Sequence, residues 1–222
     1  MKSNQQQSTF AQALPATLEP PMFLVTILSL GTFIIFFQGF MVAPILPGLS
    51  TDFGVSVRHV SFIEPAYLLG YGAATLVYGP LSDKYGRFPV ILFSLICFIV
   101  LTACTGFCSS ITQMIVLRLL TGIGAGGVAP ITIGWIGDKF PYEKRGHALG
   151  IFFGCMAGGT AFGSSVGALF AAKLGWQMLF WAVAAVGILI LLLLMLYRRN
   201  FRQRSVQTAA GFMTLYRSMK EI

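Results

Sequence analysis

The chain has 222 residues, 56% of them hydrophobic and 10% charged, with a net charge of +8. Soluble domains average about 25% charged residues, so a water-soluble globular protein is excluded and a membrane protein is indicated. The bases fall in short clusters between long apolar runs, which argues against nucleic acid as a partner.

Residues 1–21 are polar and Gln-rich, with Pro15, Pro20 and Pro21 ahead of the first apolar run, and are expected to form a cytoplasmic tail. The run that follows exceeds the roughly 7–15 apolar residues of a cleavable signal, so it should persist as a span. Uncharged stretches then cover 20–51, 65–82, 88–117, 119–137, 148–172 and 174–197. A bilayer core about 30 Å thick takes roughly 20 apolar residues per helix, so each stretch holds one span. Six helices are predicted near 22–46, 60–81, 88–108, 112–136, 146–171 and 176–197, which makes an all-α transmembrane domain over 22–197. The runs are continuous rather than alternating, which excludes a closed β-barrel.

In the first span Gln38 is the strongest neutral polar candidate. The second opens with Glu64 and continues through Tyr67, Leu68, Tyr71, Thr75 and Tyr78 at helical spacing. Such a face suits the lining of an aqueous cavity. The alternative, aromatics at the membrane interface, suits Tyr67 and Tyr78 better than Tyr71. Between the second and third spans lies GPLSDKYGRFPV, residues 79–90. Gly79 and Pro80 are expected to end the second helix, and Gly86 permits a tight reversal. Bases belong in such a loop, but Asp83 set among them is not explained by that alone. Cys97, Cys104, Cys108 and Cys155 lie within spans and read as small buried hydrophobes. Cys104 and Cys108, four residues apart, could offer two thiolates to a metal, the weaker alternative.

The fourth span carries Arg118 and four glycines, Gly122, Gly124, Gly126 and Gly127. A phosphate loop would need a Lys-Ser/Thr pair and a preceding strand, and neither is present. Glu64 and Arg118 fall about five and seven residues into their helices, roughly 7 and 10 Å deep, so their depths match. Ionisable groups at such depths are costly and face a cavity or a partner. Arg118 is expected to be held by Gln38 or Glu64. The fifth span has two small-residue stripes at a spacing of four, Gly150, Gly154 and Gly158, then Gly159, Gly163 and Gly167, which read as close helix packing or as a flexible helix that can rock, and the two do not exclude each other. After the sixth span, 198–222 form a basic segment beginning RRNFRQR, suited to anionic lipid.

With the N-terminus inside, twelve bases face the cytoplasm: Lys2, Lys84, Arg87, Lys139, Lys144, Arg145, Arg198, Arg199, Arg202, Arg204, Arg217 and Lys220. Only Arg58 and Lys173 fall outside, so the positive-inside rule places both termini in the cytoplasm. No nucleotide loop, nucleophile with a base, or clustered metal ligands emerge, so neither catalysis nor a cofactor is expected.

The stretch G-x-L-x-D-K-x-G-R at 79–87 resembles the loop signature of the major facilitator superfamily, apart from Phe88 at the last basic position. RLLTGIGAGG resembles that family's Arg-x-x-x-Gly-x-Gly stretch, and GDKFPYEKRGHALG its pattern after the fourth helix. APILP resembles the end of helix 1 in drug:proton antiporters. Two features depart from that branch: Phe40 stands where an acid is frequent, and GTAFGSSVGA has Ser164 and Ala168 in place of a proline and a glycine. The resemblance implies one six-helix half of a two-half transporter, with GFMTLYRSMKEI similar to the start of the linker to a second half. It implies a latch of Gly79, Asp83, Lys84, Gly86 and Arg87, joined by Asp138 and Arg145; the polar groups within the spans give the expected substrate or proton pathway, past Gln38, Glu64, Tyr71 and Arg118. The expected function is proton-coupled export of small organic or drug-like molecules across the cell membrane. The alternatives are metabolite uptake, or a half that does not transport.

Overall fold

The computed structural model describes residues 22–197. The expected N-terminal tail, 1–21, and basic segment, 198–222, lie outside the described residues. Six helices long and apolar enough to cross a membrane are present among the described residues, one for each uncharged stretch.

The first span is α1 (Met22–Phe40), a single 3-10 turn (Ala43–Ile45) and α2 (Leu46–Phe53). Pro44 and Pro47 each stand at the start of a helical segment, where the missing amide proton costs nothing. The span therefore runs on past the predicted end at 46, until Gly54 stops it. A short α3 (Val57–Val60) is capped by Ser56, whose hydroxyl accepts from the His59 amide. The second span, α4 (Ile63–Tyr85), passes straight through Pro80, so Gly79 and Pro80 do not end it as the sequence suggests. A proline removes one donor, and the turns on either side stay bonded. The Ser82 hydroxyl also donates to the Gly79 carbonyl, at 2.8 Å. The reversal waits for Gly86, whose φ of +91° is a conformation that suits glycine.

The third span is α5 (Arg87–Thr105). The fourth is broken into α6 (Ile111–Ala125) and α7 (Val128–Lys139), where one continuous helix was expected. Ser110 caps α6 by accepting from the Gln113 amide, and the Gln113 side chain accepts in turn from Ser109. The fifth span, α8 (Tyr142–Leu174), is the longest, and α9 (Trp176–Leu196) is the sixth. At the Gly54 end, the Trp176 indole donates to the Asp52 carboxylate at 3.1 Å, tying the sixth span to the first.

Two tight helix pairs organise the bundle, α1 with α8 and α4 with α6, and α5 and α9 pack beside them. Glycines make both pairs possible. A β-carbon at Gly163 or Gly167 would sit 2.5 Å from the carbonyl oxygen of Phe37 or Met41, and one at Gly159 would collide with that of Phe33. Between α4 and α6, Gly122 faces the Tyr67 carbonyl and Gly70 the Leu119 carbonyl, each closer than a side chain would allow. The other stripe on α8 differs from expectation. Among the described residues Gly150 and Gly154 have nothing within 4 Å, and Gly158 meets only the Phe33 ring, at 3.5 Å. Gly150 and Gly154 face away from α1 and Gly158 touches it only through a side chain, so Gly154 and Gly158 are not seats for a backbone.

Candidate functional site

Arg118 is the largest fully buried side chain in the fold, with no exposed surface. Gly39, Gly70 and Gly122 draw α1, α4 and α6 together around it. The guanidinium donates from Nη1 to the Gln38 carbonyl at 3.5 Å and from Nη2 to the Gly39 carbonyl at 3.4 Å. Its carbon stands 4.4 Å from the centre of the Tyr67 ring, a cation–π arrangement that gains strength away from water. Glu64 Oε2 lies 3.8 Å from Nη2, and the Glu64 side chain keeps 23% of its surface exposed. The matched depths of the two charges are thus a direct contact.

Three polar groups in this cluster lack hydrogen-bond partners among the described residues: Arg118 Nε, Glu64 Oε2, and both ends of the fully buried Gln38 amide. The main chain of Gln38 holds Arg118, while its side chain is left over. Buried polar atoms without partners are uncommon and expensive. Their concentration around one cation leaves hydrogen-bonding capacity for water, a proton carrier or a polar solute.

Tyr67 is an interior residue rather than an interfacial one. Its hydroxyl donates to the Ile35 carbonyl at 3.3 Å, and its ring stacks on Tyr71 with centroids 6.2 Å apart. Tyr71 in turn meets Phe36 edge-on. The sequence put Tyr67 on a face with Glu64 and Leu68; in the structure Tyr67 is buried against Arg118 while Leu68 is exposed, and that contact with Arg118 was not foreseen. Sequence reasoning missed Gly39 altogether, where a β-carbon would come 3.2 Å from the Tyr67 ring.

At the Gly86 end the charged hinge is only partly assembled. Arg87 Nη2 pairs with Asp138 Oδ2 at 2.5 Å, and Nη1 reaches the Ile131 carbonyl at 3.4 Å. Gly134 clears the path, since a β-carbon there would strike the Arg87 guanidinium. Arg145 donates instead to the Phe140 carbonyl at 2.9 Å, and the Lys84 ammonium lies 5.2 Å from the Tyr85 ring centre. Asp83 is exposed and forms no ion pair among the described residues. A β-carbon at Gly79 would meet nothing within 4 Å among the described residues. Of the seven residues expected to act together, the structure joins Arg87 and Asp138.

Cavities of about 330 and 370 Å³ open beside Phe107 at the Gly54 end, and neither touches Arg118 or Glu64. The four cysteines are free thiols, and Cys104 and Cys108 line the smaller cavity.

The sequence model of the Major Facilitator Superfamily matches residues 28–218. The chain belongs to this superfamily. With its six apolar helices it is an integral membrane protein. It is similar to Multidrug resistance protein 3 of Bacillus subtilis (31% identity, covering 80% of this chain and 35% of that protein). It is also similar to the Tetracenomycin C resistance and export protein of Streptomyces glaucescens (28% identity, covering 72% and 30%). The chain thus spans about a third of the length of these relatives. Among solved structures, its fold resembles a bacterial homologue of the human lysosomal transporter Spinster in an inward-facing, unoccupied conformation. That match has a TM-score of 0.70 and 21% identity, and covers 79% of this chain and 43% of the other. The proton:xylose symporter XylE matches at a TM-score of 0.69 and 18% identity, covering 78% and 44%.

Proposed function

We propose that this superfamily member is the N-terminal six-helix half of a secondary transporter that exports small organic or drug-like molecules in exchange for protons. Both ends of the chain lie in the cytoplasm, and a second six-helix unit completes the substrate path. The observation that carries the reading is the buried Arg118 with its loosely placed Glu64 and unpartnered Gln38 amide. A purely structural ion pair would be expected to close and to satisfy its donors. This one leaves the Glu64 side chain partly exposed, and leaves Glu64 Oε2, Arg118 Nε and the Gln38 amide without hydrogen bonds among the described residues, which suits a site that gains and loses a proton or solute. Relatives whose names speak of multidrug resistance and tetracenomycin export support the direction and the substrate class. The Arg87–Asp138 pair, with Asp83, Lys84 and Arg145 nearby in sequence, acts as the cytoplasmic latch, and Asp83 awaits a partner on the second unit.

The test is flux in inside-out vesicles carrying the full-length protein, with the lumen made acidic. A lipophilic dye should accumulate, a protonophore should abolish its accumulation, and Arg118→Ala should remove it at normal expression. Accumulation indifferent to the protonophore would defeat proton coupling. Uptake in the opposite direction would replace export with import, and no flux at all would leave a half that does not transport.

A further inference from the structure

The joint in the fourth span lies between Arg118 and the contacts of Arg87. At Gly126 φ and ψ are −63° and −12°, and at Gly127 they are −87° and −29°, so the chain bends without reversing. A bend inside a bilayer frees backbone groups that water cannot reach, and neighbouring side chains must take them up. Two do so. The Ser94 hydroxyl, on α5, donates to the Gly124 carbonyl at 2.5 Å and accepts from the Gly127 amide at 3.2 Å. The Thr75 hydroxyl, on α4, donates to its own helix at the Tyr71 carbonyl and also lies 3.3 Å from the Gly126 carbonyl. The glycines admit this approach, since a β-carbon on Gly127 would stand 2.9 Å from Ser94 Oγ.

The two halves of the span are gripped by different neighbours. α6 carries Arg118 and is seated on α4 through Gly70 and Gly122. α7 carries the Ile131 carbonyl and Asp138, both held by Arg87. We propose that Ser94 is a positioning residue for the Arg118 site: its hydroxyl pins the Gly126–Gly127 joint and so sets the angle between the two halves.

One hydroxyl supplies both missing partners, and each bond has a ready alternative. In a straight helix the Gly127 amide would return to the Ile123 carbonyl, and the Gly124 carbonyl would accept from the Val128 amide. The Ser94 hydroxyl would then donate to Val90, four residues back, as the hydroxyls of Thr105, Thr121 and Thr132 do in their own helices. Either form gives the Gly124 carbonyl, the Gly127 amide and the Ser94 hydroxyl a partner, so the choice between them turns on this one side chain. The mechanical inference stands without the transport reading; only its consequence for turnover rests on it.

The experiment uses the full-length protein in lipid nanodiscs, with the native cysteines replaced by alanine. Nitroxide labels go at Leu76→Cys on α4 and Gly137→Cys on α7, and their distance distribution is measured by pulsed dipolar spectroscopy. Ser94→Ala is expected to shift that distribution and to slow transport by about tenfold, the worth of roughly one hydrogen bond. Ser94→Thr should keep both at the wild-type level. An unchanged distribution in Ser94→Ala overturns the proposal, whatever transport or melting temperature does. A Thr variant displaced as far as the Ala variant also overturns it, because the effect would then follow volume and not the hydroxyl. Should Ser94→Ala fail to fold, Gly127→Ala, whose new methyl pushes on Ser94 Oγ, must shift the distances or the proposal fails. If the distances respond while even the wild type carries no flux, the transport reading falls and the joint stands.

Discussion

Arg118 is held in the core by contacts that are individually weak. Two long hydrogen bonds to carbonyls, an aromatic face and a carboxylate at 3.8 Å share its charge, while Nε has no hydrogen-bond partner. On insertion scales a guanidinium deep in the membrane costs about 2.5–3.5 kcal/mol, and these contacts are of the size needed to offset it. Arg118→Lys keeps the charge but loses the fork that reaches two carbonyls at once. It is expected to leave the protein folded and cut transport well below wild type, whereas Arg118→Ala abolishes it. Equal activity in the Lys variant would show that charge alone suffices. Gln38 allows a separate check, because its amide is buried with both ends unpartnered. Gln38→Met removes that burden and should raise the thermal stability of the protein by about 1 kcal/mol while lowering transport. A variant that melts later and transports normally would make the amide incidental. Gln38, Glu64 and Arg118 were legible in the sequence because a polar residue is conspicuous in an apolar run. The ring of Tyr67 under the guanidinium was not, since nothing in the spacing of tyrosines says which helix they face.

Helix limits and helix contacts were legible to different degrees. Each uncharged stretch became one span, because bilayer thickness leaves little choice. Where a helix bends was hidden. Pro80 reads as a terminator and is tolerated, while Gly126–Gly127 breaks the fourth span, because the outcome depends on side chains of other helices that take up the freed groups. The two stripes on α8 make the same point, being alike in spacing and opposite in setting. A β-carbon at Gly163 would meet the Phe37 carbonyl at 2.5 Å, and at Gly154 it would meet nothing within 4 Å. Gly163→Ala should therefore lower the stability of this chain in detergent by about 1–3 kcal/mol, the usual cost of overpacking. Gly154→Ala should change it by less than about 0.5 kcal/mol. Thermal melts of the two variants decide the matter. Equal losses would mean that α8 sits against α1 in a different rotation.

For the whole molecule, the charge distribution underlies the proposed orientation, and burial marks the surface least covered within the described residues. On the proposed orientation, with twelve bases assigned to the cytoplasmic side against two outside, the positive-inside rule would put Tyr142 in the cytoplasm and Thr51 outside. In a cysteine-free background, Thr51→Cys should react with an impermeant maleimide added to intact cells, and Tyr142→Cys only after permeabilisation. The reverse pattern would invert the protein and move the latch to the outside. The less-buried spans carry a further inference. In the apolar stretch of the first and fourth spans 61% of the residues are buried, against 28% and 17% in the second and fifth, among the described residues. The open side of α8 includes Gly150, Gly154, Ala157 and Ala161, small residues that lipid does not require and that another helix can approach closely. Sequence alone marked that stripe as packing but could not say against what, since its partner is not α1. If a second six-helix unit rests there, Gly154→Trp should leave the melting of this chain unchanged, because the space around Gly154 is empty within it. In the full-length protein the same substitution should block transport, by wedging the two units apart. Full activity of the Gly154→Trp protein at normal expression would turn this face toward lipid and move the contact between units elsewhere.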